Sequence, residues 1–154
     1  MNRTMAMIAG GALFASAVTA GAGVVSPGAV EYDGIAIPQS LTGTPGDPEQ
    51  GREWTAGRKL GNCLACHQNS DMSDLPFHGE VGPPLDGAGS RWTEAQLRGI
   101  IVNSKHVFGD QTIMPAFYRT SGFNRPRKQF EGKPILTAQQ VEDVVAYLLT
   151  LKDQ

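Results

Sequence analysis

The chain is poor in the residues that make most chemistry. Its 154 residues include 2 Cys, 3 His and 2 Trp, and aromatic side chains make up 7% of it. Two cysteines allow one disulfide at most, so a disulfide-stapled framework is excluded. Neither sign of charge dominates, with 13 Lys and Arg against 15 Asp and Glu. Such a balance lacks the basic field that nucleic acid attracts, which argues against nucleic acid as a partner. No stretch alternates apolar and polar residues convincingly enough for a sheet, and there is neither an internal repeat nor a low-complexity tract. Hydrophobic residues make up 40% of the chain, but many fall within the first 30 positions. The remaining core is therefore lean for a protein with 19 Gly and 10 Pro, and a large apolar cofactor would help to fill it.

The first 22 residues read as a secretory signal peptide. Arg3 supplies the positive start, an apolar run follows to about Val18, and small residues suit cleavage after Ala20 or Ala22. Glycines and hydroxyl residues interrupt the run, which is shorter than the roughly 20 residues of a membrane span. No later segment is long and apolar enough to span a bilayer, so the exported chain is expected to be soluble. Residues 23–46 are rich in Gly and Pro without sustained period and read as an extended arm or linker laid on another surface. Residues 47–154 form the expected domain. Three helix starts stand out, each a capping residue with Gln three places on: Asp47, Thr93 and Thr137. After Thr93, Leu97, Ile100 and Ile101 make one apolar stripe; after Thr137, Val141, Val144, Val145, Leu148 and Leu149 hold the helical period for two turns. The expected fold is all-α with three main helices and long ordered loops.

Both cysteines sit in "GNCLACHQNS", as Cys63 and Cys66 followed at once by His67. C-x-x-C-H is the pattern for covalent attachment of haem c: two thiols add to the porphyrin vinyl groups, and the adjacent imidazole becomes an iron ligand. Three alternatives compete. A redox dithiol normally opens a helix in a βαβ setting, which is missing. A zinc site needs four ligands, and beyond this cluster only His78 and His106 remain as nitrogen donors. A single exported disulfide is the third.

With haem in place, the candidates for the other iron ligand are Met72, Met114, His78 and His106. Met72 lies too close in sequence to His67 to travel round the porphyrin. Met114 precedes Pro115, which imposes an extended backbone suited to a loop presenting its side chain, and is the favoured distal ligand, with His106 next. A His/Met site moves electrons and leaves no position open for substrate. In "VGPPLDG" the carbonyl of Pro83 is positioned to receive the Nδ1–H of His67, and Arg91 and Trp92 are candidates for contact with a haem propionate. The run Arg119 to Lys133 is basic and reads either as a solvated loop or as a docking face for an anionic partner.

The order of helix, C-x-x-C-H, G-P-x-L loop, helix, M-P loop and C-terminal helix resembles class I cytochrome c. More narrowly, "VGPPLDGAGSRW", "TIMPAFYRTSGFNR" and "GKPILTAQQVEDVVAYLLTLK" are similar to the SoxX family, the small monohaem subunit of thiosulfate-oxidising SoxAX cytochromes, over roughly residues 35 to 152. The resemblance implies one covalent haem c on Cys63 and Cys66, iron held by His67 and Met114, and a periplasmic heterodimer with a larger SoxA-type haem subunit that the arm at 23–46 embraces. It implies that the partner carries the catalytic haem, where thiosulfate is joined oxidatively to a carrier-protein cysteine, as in L-cysteine S-thiosulfotransferase. This chain would then hold no catalytic residue and would relay electrons to a soluble cytochrome c. The long gap from Gly51 to Cys63 departs from the general class I pattern and leaves the helix contacts of Gly51 and Trp54 open. The alternatives are a free-standing class I electron carrier of a respiratory chain and, in another class, a haem sensor or peroxidase whose Met114 leaves the iron.

Overall fold

The computed structural model describes residues 23–153; the expected signal peptide lies outside them. Five helices carry the fold: α1 (Pro48–Ala56), α2 (Ala88–Arg91), α3 (Glu94–Val102), α4 (Ser104–Phe108) and α5 (Ala138–Thr150). Among the described residues the only β pairing is an isolated bridge between Asp33 and Ala36.

The helix starts follow from their caps. Thr93 and Thr137 each accept a hydrogen bond from the backbone N–H of the Gln three residues on, and that Gln side chain accepts one from the N–H of the cap. Both are reciprocal capping boxes. Asp47 accepts from the N–H groups of Glu49 and Gln50, with Pro48 at the first helical position. The apolar stripes of α3 and α5 then meet in one core, where Leu97, Ile101, Val141, Val144 and Val145 are buried.

α1 crosses α5 closely because Gly51 has no side chain. A Cβ there would overlap the backbone of Asp143 and the side chain of Tyr147. Trp54 Nε1 donates to Asp143 Oδ2 at 3.0 Å, and the Asp47 N–H donates to Asp143 Oδ1 at 2.9 Å. The long gap between Gly51 and Cys63 therefore leaves these contacts with α5 in place.

The expectation for residues 23–46 needs correction. This segment is laid on its own domain: Ile37 and Leu41 are fully buried in the shared core. Its backbone is tied down by Val25 N to Leu41 O (2.8 Å) and Ile37 N to Ala95 O (2.8 Å), and Tyr118 Oη donates to Val25 O at 2.7 Å. The segment lacks a period because its only regular structure is the 3-10 turn Pro27–Ala29 and the single bridge from Asp33 to Ala36. Val25, Val30 and Tyr32 pack against the same core beside Ile37 and Leu41.

A buried ion pair joins this segment to the helices. Arg98 of α3 and Glu142 of α5 are 2% and 4% exposed, and Arg98 donates to both oxygens of Glu142 through Nε and Nη2 at 2.9–3.2 Å. Arg98 Nη1 also donates to Ile37 O at 2.9 Å, and Leu41 N donates to Glu142 Oε1 at 2.8 Å.

Candidate haem site

Cys63, Cys66 and His67 lie on a tight turn between α1 and the loops that follow. The N–H groups of Cys66 and His67 both donate to Cys63 O at 3.0 Å, which brings the three side chains to one side of the chain. The loop at 79–85 then runs back alongside, through Gly79 N to Leu64 O, Gly82 N to Cys66 O and Leu85 N to Gln68 O at 2.7–2.8 Å. This pairing brings Pro83 O to 2.6 Å from His67 Nδ1. A carbonyl can only accept, so Nδ1 carries the proton and Nε2 keeps its lone pair. Gly82 makes the approach feasible, because a Cβ at that position would overlap the imidazole.

A second loop faces the first. Ser104, fully buried at the start of α4, donates its hydroxyl to Met114 O at 2.6 Å and approaches Pro115 O at 3.1 Å. Beyond it, Phe117 N donates to Ile101 O and Tyr118 N to Val102 O, both at 3.1 Å, so the loop is stitched to the end of α3. Sequence reasoning had no signal for Ser104, since a lone serine before a lysine has no pattern.

Between the loops lies a cavity of about 660 Å³, in the size range of cofactor sites. Cys63, Cys66, His67 and Met114 all line it, with an apolar wall that includes Leu97 and Val144. Pro83, Arg91 and Trp92 line it too. Arg91 spends Nη1 on Asp86 O (2.5 Å) and Nη2 on Pro84 O (2.9 Å), bracing the loop that carries Pro83. Trp92 packs edge-on against Phe108 with ring centroids 6.5 Å apart.

The other candidate ligands are engaged elsewhere. Met72 is fully buried in the core and does not reach the cavity. His78 Nδ1 accepts from Asn69 N at 3.3 Å. His106 points away: its Nε2 lies 3.0 Å from Gly34 O, and its ring stacks on Tyr32 at 3.9 Å. Among the described residues no group of three or more His, Cys, Asp or Glu is placed to hold a metal ion by itself, which removes the zinc reading. No disulfide joins Cys63 to Cys66.

Comparison with known proteins gives the family. Residues 54–152 match the family model for cytochrome c, and no curated protein sequence matches the chain. Among solved structures, a crystal structure of SoxXA from P. pantotrophus is 53% identical, with a TM-score of 0.78, over 83% of this chain and 98% of that one. The chain belongs to the cytochrome c family and has its class I, all-α fold. Its cofactor is a covalent haem c, and the residues present fit that group: two thiols, an imidazole with a free lone pair and an apolar cavity of suitable size meet in one place. Within the family it is a SoxX-type cytochrome.

Proposed function

We propose that the chain is the electron-transfer subunit of a SoxAX-type complex in the periplasm, paired with a larger SoxA-type haem subunit. The bound haem supplies a one-electron couple. Cys63 and Cys66 would tether it, and His67 and Met114 would ligate its iron. The observation that carries this reading is the pair of loops facing one cavity, one fixing His67 through Pro83 and the other fixing Met114 through Ser104. Each ligand is held by a backbone anchor, so little reorganisation accompanies a change of charge at the site. With His67 and Met114 as its ligands the iron would be closed to substrate, and the oxidative joining of thiosulfate to a carrier-protein cysteine would belong to the partner. Electrons leave through this chain to a soluble cytochrome c, and a sulfur-carrier protein docks on the assembled pair.

Support for the pairing comes from the 53% identity to a protein solved as SoxXA. The test is co-purification of the native protein with a larger haem subunit, followed by thiosulfate-dependent reduction of both haems in the presence of the carrier protein. A chain that purifies alone, and whose haem stays oxidised under thiosulfate when the larger subunit is added back, refutes the proposal in favour of a free-standing carrier.

A further inference from the structure

Four cations line the haem cavity, Arg58, Lys59, Arg91 and Arg127, and no Asp or Glu joins them among the described residues. A haem brings two carboxylates of its own, and a carboxylate placed against a wall of low polarity is costly unless a cation meets it. The constitution of the porphyrin sorts the four. Its vinyl groups and its carboxylates lie on opposite edges, so the thioethers at Cys63 and Cys66 dictate which side the carboxylates face. Arg58 and Lys59 belong to the turn immediately before Cys63 and so sit on the thioether side. Arg58 also stands over the Phe77 ring, 5.6 Å from its centroid.

Arg91 and Arg127 come from parts of the chain remote from the cysteines. Arg91 is occupied with the carbonyls of Pro84 and Asp86. The Arg127 side chain has no ion pair, hydrogen bond or aromatic face among the described residues. Its backbone is nevertheless held, since Phe130 N donates to Arg127 O at 2.8 Å and closes the turn Lys128–Phe130. Phe130 and Ile135 line the cavity beside it, whereas Arg125, Lys128 and Lys133 of the same basic run do not.

We infer that Arg127 is the countercharge to a haem carboxylate and so raises the reduction potential of the site. It acts through the carboxylate and is a positioning residue. The physical consequence has a definite sign. Without the cation, the carboxylate is left uncompensated near the iron, and its negative charge favours the more positive, oxidised state.

The test is a spectroelectrochemical titration of the full-length holoprotein at pH 7. Arg127→Gln is expected to lower the equilibrium constant for reduction roughly tenfold, or about 59 mV for one electron. Arg127→Lys, which keeps the charge, should recover most of that loss. Lys128→Gln removes the same formal charge from the next residue, which is exposed like Arg127 but does not line the cavity, and should move the constant less than about threefold. If Arg127→Gln did not mature, Arg127→His would carry the same test. Its potential should lie near that of the native protein at pH 5 and fall to the low value at pH 8, as the imidazole loses its charge near pH ~6.5. An unchanged potential in Arg127→Gln, an equal fall in Lys128→Gln, or a potential in Arg127→His that follows the native protein at both pH values overturns the inference. Any of these outcomes would leave the SoxAX assignment standing, because that rests on co-purification and thiosulfate-dependent reduction.

Discussion

Replacing Arg98 with Met should destabilise the folded protein by about 3–5 kcal/mol, the cost of leaving a buried carboxylate without its partner. The magnitude follows from what Glu142 would retain. In the native protein it accepts from Arg98 Nε, Arg98 Nη2 and Leu41 N while 4% exposed. In the variant only the Leu41 N–H remains, and Ile37 O loses its bond from Arg98 Nη1. Against a typical total stability of roughly 5–15 kcal/mol, this is a large fraction. The double variant Arg98→Met with Glu142→Gln removes the stranded charge, and its amide oxygen can still accept from Leu41 N. The expected loss is then about 1–3 kcal/mol, that of polar groups left imperfectly paired. Urea unfolding of the holoproteins, followed by far-ultraviolet circular dichroism with the slope m compared across variants, measures both. A single variant that loses less than about 1 kcal/mol would refute the reasoning, as would a double variant as unstable as the single.

Three further expectations are sharp enough to check. Gly82→Ala drives a methyl group into the His67 ring, so the bond to Pro83 should break and the low-spin haem spectrum should be lost or weakened. A native spectrum in that variant would show that the loop yields without cost. Arg52→Gln should change stability by less than about 1 kcal/mol in the same urea assay, because its partners Asp71 and Asp74 are well exposed, with side-chain exposures of 48% and 65%. At high pH, Tyr32 matters: burial raises its phenol from 10.0 to about 12, partly opposed by the charge of Arg119. Its folded value lies above the unfolded one, so its contribution is complete below pH 10 and is lost as the pH rises toward 12. Tyr32→Phe should therefore show a shallower loss of stability across that window, and identical profiles would exclude Tyr32 from the alkaline transition.

Helices α1, α3 and α5 and the haem-attachment turn were legible because their signals are local, whereas the short α2 and α4 carry no such signal. A threonine with Gln three residues on marks a helix start at both Thr93 and Thr137 whatever the rest of the chain does. Cys63, Cys66 and His67 are contiguous, and the G-P-x-L loop announces Pro83. What escaped sequence reading depends on partners far away in the chain. Arg98 is interleaved with the apolar stripe of α3, and only the approach of Glu142, 44 positions on, turns a residue normally left in solvent into a core member. Ile37 and Leu41 sit in a tract without period, so nothing local distinguishes an anchored segment from a free arm. Arg127 lay in a basic run that invited a single reading for all its cations, although the fold sends just this one of the four arginines and lysines from Arg125 to Lys133 into the cavity wall.

The bond from Leu41 N to Glu142 joins positions 101 residues apart. Because α5 also receives α1, through the contact at Gly51, and α3, through Arg98, the start of the domain has no finished surface to close on until the last helix exists. Folding of this chain is accordingly dominated by distant pairings, which are slow to form. A chain delivered across a membrane amino terminus first would stay open along most of its length until residues 138–150 had emerged. In such a chain Cys63 and Cys66 would stay accessible until then. The same arrangement makes the carboxyl terminus the least dispensable end of the protein: truncation before Val141 should leave no stable fragment, however intact the attachment turn.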